Sequence, residues 1–449
     1  MRVQRDGRSV KVAVKADGTG LVSHAGSALL AGIADRLGLT TALSREVGQV
    51  RQRQGGHDPG RVLRDLAVTL ADGGVSLSDL AVVRNQEILF GKVASDSTAY
   101  RVLDAVAADP QLMAGVRAAH ARARAVAWEL IGVPEKLAID IDATLLTAHS
   151  NKQAAAGNYK RGFGFHPLMA YADQTGEALA GILRPGNAGS NTAEDHLVVL
   201  DEALAQVPEG HIELIEITLR ADGAGATHEL LAGCRERRVS FSVGYELTPA
   251  VTAAISTLPE TAWTAAIHRD GTPRGNGQVA EITHLLNLTS WPERSRVIIR
   301  RERPRPGSQL SFTDIDGHRF QAILTDNEHP MIEVIEAYHR QHAHVEDHIR
   351  VDKDTGLEKL PFQNFAINEL WLYLVMLAHD LLAWTRALLL SGDLAKAEPR
   401  TLRYRLLHTA ARLAFTARGA ILHLPSTWPW ATQLTAAFTR LAALPAPTG

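Results

Sequence analysis

The chain has 449 residues, 45% hydrophobic and 21% charged, with a net charge of −2; this excludes a disordered or fibrous protein and allows about three domains or one large body with insertions. A single cysteine, Cys234, excludes an intramolecular disulfide and any cysteine-built zinc or iron–sulfur site, and points to a reducing compartment. The start, MRVQRDGRSVKVAVK, lacks the apolar stretch and small-residue cleavage site of a secretory signal, so a soluble, cytoplasmic protein is expected.

The near-zero charge hides local asymmetry. Residues 1–70 carry eleven Lys or Arg against six Asp or Glu, and the run RSRVIIRRERPR (294–305) carries six Arg against one Glu. Of the 47 basic residues 38 are Arg, a bias that suits bidentate phosphate contact and that a GC-rich genome would equally produce.

In chain order, the first 130 residues are predicted helical. SALLAGIADRLGL, RVLRDLAVTLADG and SDSTAYRVLDAVAAD space their apolar residues at three and four, and Ser95, Asp96 or Ser97 could cap the third. A helical unit over 1–130 with a basic surface fits a DNA-binding module, with RQRQGGHDPG (51–60) as an exposed connection. From Pro134 the texture changes: strands are predicted at 137–144, 162–173 and 177–187, a helix at 192–207, a strand at 215–222, a helix at 227–237 and a strand at 239–247. That succession predicts a mixed α/β sheet with helices on its faces over 131–247.

Residues 248–330 break the alternation with RSRVIIRRER, QLSFTDI and HRFQAILTD between Gly and Pro, and read as a β-rich insertion. One long helix is predicted from Met331 to about Lys353, and 364–444 reads as helical. Residues 331–390 would complete the α/β unit, leaving 391–449 as a C-terminal helical region with a frayed tail, LPAPTG. The most apolar run, 370–390, is interrupted by His379, Asp380 and Arg386 and reads as a buried helix, not a membrane span.

Carboxylates mark the candidate chemistry. In LAIDIDAT, Asp140 and Asp142 are two apart and project from one face of the strand, where two acids are unfavourable unless paired, exposed or bound to metal. Asp222 ends the strand IEITLRAD before a Gly-rich turn, and strand ends on one side of an α/β sheet are where sites assemble. On the late helix His339, His342, Glu346, Arg350 and Lys353 fall within about 40° of one line. That face is either an exposed Glu346–Arg350 pair or an acid on a metal with bases turned to phosphates. Hard divalent cations prefer carboxylate oxygens, and two about 4 Å apart can activate a water or 3′-hydroxyl and stabilise the leaving oxygen of a phosphodiester. Asp142, Asp222 and Glu346, drawn together, would form such a site. GHDPG and GTPRGNG lack the surroundings of a nucleotide loop, and His166, His196, His211 and His228 have no partner at zinc-ligand spacing.

The blocks IDIDATLLTAHSNKQ, GFHPLMAYAD with LRPGNAGSNTAED, LRADG, and HAHVEDHIRVDKDTGLEKLPF followed by Asn368 and Trp371 span about 134–375. In order and spacing the sequence resembles the DDE transposases of bacterial insertion sequences, in the branch whose RNase H-like domain is interrupted by a β-rich insertion before the final Glu. The resemblance implies an RNase H-like (retroviral-integrase-like) mixed sheet and the triad Asp142, Asp222 and Glu346, with Asp140 left open as the first metal ligand. It implies Mg2+, or Mn2+ in its place, as two ions per site. It further implies phosphate contacts by Tyr338, Arg340, Arg350 and Lys353, although Tyr338 stands eight residues before Glu346 where seven is usual. In the insertion, Arg300 and Arg301 would face the DNA backbone, and Trp263 or Trp291 would either pack in the core or stack on a displaced base. The implied partners are terminal inverted repeats and target DNA, met by a dimer on paired ends in the bacterial cytoplasm, nucleoid-associated when on DNA. A domesticated DNA-binding protein that does not cut, or an RNase H-like nuclease, are the alternatives.

Overall fold

The computed structural model describes residues 1–51, 53, 55–190, 192–304 and 317–446. The expected strand QLSFTDI, Arg305 of the basic run and the last three residues of the tail lie outside the described residues. The N-terminal helices begin where side chains can satisfy their free N–H groups. Helices α1 (Ala28–Arg36) and α2 (Leu39–Val47) precede α3 (Pro59–Ala71), where Asp58 accepts from the Arg61 N–H at 2.9 Å and proline takes the first position. Of the three expected caps of α4 (Asp96–Ala107), Ser95 serves: its hydroxyl accepts from the Thr98 N–H. Helix α5 (Pro110–Ile131) is capped by Asp109 and stops at Gly132, whose φ of 107° favours glycine. The expected all-helical regions 1–130 and 364–444 are each interrupted by strands: Arg2–Arg5 pairs with Arg8–Lys11 around Asp6-Gly7, a hairpin signal present in the sequence, and Leu21–Val22 joins the hairpin Ala411–Thr416 with Gly419–His423 in a small sheet.

Among the described residues nine strands form one mixed sheet: β1 (Lys136–Ala143), β2 (Leu168–Ala172), β3 (Glu177–Ile182), β4 (Glu216–Ala221), β5 (Ser240–Tyr245), β6 (Thr264–Ile267), β7 (Pro273–Glu281), β8 (Arg296–Glu302) and β9 (Arg319–Thr325). Their order is β6-β7-β8-β9-β5-β4-β1-β2-β3. β1, β4 and β5 are parallel, and every other neighbouring pair is antiparallel. Crossover helices α6 (Ala193–Leu204) and α7 (His228–Glu236) make the parallel pairings possible. The strand expected over 162–173 is two. Phe163–Phe165 joins a small sheet with Leu146–Thr147 and Ala156–Gly157, and β2 begins after Pro167, which has no N–H to give to a ladder.

The β-rich insertion adds to the edge of the same sheet, with β9 on β5 and then β8, β7 and β6 in turn. Two strands and α8 (Pro249–Ser256) in it were not expected. Pro273, Gly275 and Gly277 make the start of β7 read as a turn, and its pairing with β8 begins only at Gly277. The single helix expected from 331 to 353 is instead α9 (Ile332–Arg340) and α10 (His344–Asp352), separated by a 3-10 turn at Gln341–Ala343.

Among the described residues two large cores flank the sheet, and a smaller cluster of Ala266, Val279, Ile298 and Ile323 with Ile335 of α9 covers the insertion strands. Leu137, Ile139 and Ile141 of β1 pack with Val199, Leu200, Leu230 and Leu231 of α6 and α7. On the other side Met169 and Tyr171 of β2 join α11 (Phe365–Trp384), α12 (Ala431–Ala443) and the N-terminal helices in one shared core. α11 buries Leu370, Leu374, Leu377 and Leu381, each fully buried leucine contributing about 1.5–3 kcal/mol. It is long and apolar enough to cross a membrane, yet 83% of its most apolar window is buried inside the protein, as the polar interruptions led us to expect.

The charges carried by α11 are answered internally. Asp380 receives Arg124 at 2.6 Å, His120 Nε2 at 2.7 Å and the Ala178 N–H at 2.8 Å. Glu177 of β3 accepts the indole N–H groups of Trp128 at 2.6 Å and Trp384 at 2.7 Å. These bonds tie α5, the sheet edge and α11 together. Burial, with Arg124 adding to it, pushes the His120 imidazole down to about 4. The folded state therefore takes up its proton later than the unfolded chain does, so this contribution to stability is whole above about pH 6.5 and is lost as pH falls toward 4. Urea unfolding between pH 7 and 5 should show stability falling by up to about 1.4 kcal/mol per pH unit from this group. A fall no smaller in His120→Gln would sink the assignment.

Candidate active site

β1 lies between β4 and β2, third from one edge of the sheet, and its alternation sends Ile139 and Ile141 into one core and Asp140 and Asp142 to the opposite face. The two acids meet different surroundings. Asp140 is fully buried and receives Arg220 from the parallel neighbour β4, Nε to Oδ1 at 2.8 Å and Nη2 to Oδ2 at 2.6 Å. His342 adds a contact to Oδ1 at 2.8 Å. The same guanidinium holds Asp173 at 2.9 Å, donates to the Tyr338 carbonyl at 2.7 Å and lies 5.0 Å from the Tyr338 ring centre. Asp140, left open as a first metal ligand, thus has its oxygens occupied by Arg220 and His342; a buried carboxylate needs this compensation.

Asp142, one pleat further on, is half-buried and near the strand end. Burial pushes its carboxyl up to about 6, and the charges of Asp222 and Glu346 push the same way, against the Ala143 N–H and His342. Asp222 follows β4 and caps the turn Gly223–Gly225, accepting from the Ala224 N–H at 2.8 Å. Glu346 sits in the first turn of α10, exposed, with no hydrogen bond or ion pair among the described residues. The 3-10 turn at Gln341–Ala343 offsets α10 from α9. His339, His342 and Glu346 line a cleft of ≈480 Å3 together with Asp222 and Arg300, while Arg350 and Lys353 are not among its lining residues.

The donor set suits a hard divalent cation. The charges of Asp222 and Glu346 act on Asp142, and among the described residues no cationic side chain is ion-paired to Asp142 or Glu346, which is the charge imbalance that such an ion removes. Among the described residues the carboxylates are not drawn within 4.8 Å of one another; that spacing is met by His24, Asp72 and His408.

The other expected contacts are distributed differently. Successive residues of a strand point to opposite faces, and Arg300 and Arg301 divide accordingly. Arg300 turns to the cleft side and pairs with buried Glu336 at 2.8 Å. Arg301 turns away, bonding Glu260 and Gln278 and lying 4.2 Å from the Trp263 ring centre. Arg340 also pairs with Glu336 and donates to the Ile267 carbonyl. Trp263 packs on Phe320, and Trp291 stacks on His228 with ring centres 3.9 Å apart. Both indoles are partly buried against the core in this state, not free for a base. Arg350 is exposed, paired with Asp347 at 2.8 Å and Glu398 at 2.9 Å; Lys353 is half-buried.

Sequence reading missed Arg220, Asp173 and His344, the last lying 2.7 Å from Asp173. The signal was available: a buried Asp140 demands a cation, and Arg220 lies opposite it in the β1–β4 register. His339 was noted only for its face; it contacts Ser242 Oγ at 3.0 Å, and burial pushes it down to about 3.

A family model described as transposase DDE domain group 1 matches residues 4–446. None of the curated proteins matches the chain. Among solved structures, a piggyBac transposase synaptic complex with hairpin DNA is similar at a TM-score of 0.42 and 10% identity, covering 84% of this chain and 80% of that one.

Proposed function

Because the chain belongs to the DDE transposases, as a member of transposase DDE domain group 1, we propose that it moves an insertion sequence by cut-and-paste. It binds the element's terminal inverted repeats, cleaves at each end and joins the freed 3′-hydroxyls to target DNA. The strands β3-β2-β1-β4-β5 support an RNase H-like reading of the catalytic part, with the insertion strands added beyond β5.

One observation carries the proposal: Asp142, on β1, shares its surroundings with the charges of Asp222 and Glu346, which raise its proton affinity. These three residues would hold Mg2+ or Mn2+, as two ions. Such ions activate water or the 3′-hydroxyl and stabilise the leaving oxygen in an in-line displacement. The protein's own part is placement. Arg220 and His342 engage Asp140 and so fix the strand that carries Asp142. The Ala224 N–H orients Asp222. Arg300, lining the cleft, and Arg340 stand where a phosphate backbone would pass, and each would have to exchange Glu336 for phosphate. Pairing two ends calls for a dimer on DNA, in the bacterial cytoplasm at the nucleoid.

Purified protein incubated with Mg2+ or Mn2+ and DNA carrying the sequences that flank its reading frame is expected to cleave at the element's ends and to join them to a target plasmid. Binding without cleavage by the wild type would favour a domesticated DNA-binding protein; cleavage indifferent to end sequence, without joining, would favour a nuclease.

A further inference from the structure

Outside the carboxylate cleft, three segments distant in sequence bring their polar side chains to one point. His24 precedes α1, Asp72 follows α3, and His408 lies just past the helical turn Arg403–Leu407. His24 Nδ1 is 2.6 Å from Asp72 Oδ2, and His408 Nε2 is 3.2 Å from Asp72 Oδ1 and 2.9 Å from the Asp72 carbonyl. The imidazole centres are 4.2 Å apart, inclined by 39°. One ligand atom from each residue falls within 4.8 Å of the others, which no other trio of His, Cys, Asp or Glu achieves among the described residues.

We propose that His24, Asp72 and His408 form a binding site for one transition-metal ion of the zinc class, which staples the start of the fold to its C-terminal region. Zinc takes imidazole nitrogen and carboxylate oxygen at about 2.0–2.2 Å, so tetrahedral ligand atoms stand roughly 3.5 Å apart. The carboxylate–imidazole separations of 2.6 and 3.2 Å are those of direct contacts and shorter than that value, and rotation of two partly exposed rings opens them to it: the His24 and His408 side chains are 23% and 38% accessible, against 4% for Asp72. Their exposure leaves a fourth position open to water. The Ser27 hydroxyl donates to Asp72 Oδ1 at 2.5 Å, the kind of supporting bond that orients a ligating carboxylate. The neighbouring cation, Arg403, is turned onto the Ala71 carbonyl at 2.9 Å. The segments joined are already in register, since Leu21–Val22 pairs with the strand Ala411–Thr416. Two imidazoles favour zinc, cobalt or nickel, whereas an all-carboxylate set favours magnesium or manganese, so the two sites differ in ion.

The test uses full-length protein stripped with a chelator and titrated with Co2+, then Zn2+, in excess Mg2+. One equivalent of Co2+ should bind with visible absorption of a four-coordinate nitrogen–oxygen site, be displaced by Zn2+ and raise the melting temperature. The His24→Ala/His408→Ala variant should lose both effects, Glu346→Gln should keep both, and Ser27→Ala should weaken binding roughly 10- to 100-fold. If the double variant does not fold, the single His408→Gln change at the more exposed ligand replaces it. Absence of the Co2+ signal in the wild type, its survival in the histidine variants, or its loss in Glu346→Gln would each overturn the proposal.

Discussion

Glu346→Gln is expected to abolish end cleavage and strand joining while leaving the fold and DNA binding in place. The Glu346 side chain is exposed at the start of α10 and has no hydrogen bond or ion pair among the described residues. Its replacement should therefore change stability by no more than about 0.5 kcal/mol. Its charge nevertheless raises the proton affinity of Asp142. If Glu346 holds the proposed metal, which would supply several kcal/mol to the transition state, removing this oxygen ligand should cost about 4 kcal/mol, or about a thousandfold in rate. Single-turnover cleavage, alongside a gel-shift assay on the same end DNA, separates the two effects. The amide should also leave Asp142 easier to ionise, a downward shift that carboxylate NMR can follow. Cleavage within tenfold of wild type would remove Glu346 from the proposed site.

Arg220→Met should destabilise the protein by about 3–5 kcal/mol, because it leaves a buried carboxylate without its cation. Asp140 is fully buried and Asp173 nearly so, and the same guanidinium serves both. Methionine fills much of the volume but supplies none of the four donated bonds, two to Asp140, one to Asp173 and one to the Tyr338 carbonyl. Adding Asp140→Asn should recover part of the loss by removing the unpaired charge, a coupling that denaturant unfolding of the single and double variants measures. A loss under about 1 kcal/mol in Arg220→Met would mean that the pair contributes little. Activity should fall with stability, since Asp142 is carried two residues beyond Asp140 on the same strand.

Local pattern carried much of the fold. The strands at 136–143, 216–221 and 240–245 and the helices α6 and α7 follow their periodicity, with Thr227 capping α7, and the nearly continuous burial of α11 follows from its composition. Pattern failed where backbone geometry departs from it: at Pro167, which divides one expected strand; at Pro273 to Gly277, where a strand begins in turn-forming residues; and at Gln341–Ala343, where a 3-10 turn breaks a helix that periodicity continues through. In the site, the sequence could place Asp140 and Asp142 on one face but could not rank them. The difference lies on another strand, where Arg220 comes opposite Asp140 only once β1 and β4 are paired in parallel.

The same limit applied to the basic residues. Arg300 and Arg301 read alike in a run of arginines, yet one faces the cleft and the other lies over Trp263, because the pleat turns successive side chains to opposite faces. The sequence by itself determined the order of chemical blocks, the mixed α/β class and the residue types available for phosphodiester chemistry, since these depend on local periodicity and on which side chains carry charge. Only the tertiary structure decided which charges are answered within the protein and which are left unpaired at the cleft, and that His24, Asp72 and His408 meet at all. Pairing and burial are properties of neighbours in space, and His24 and His408 come from near opposite ends of the chain.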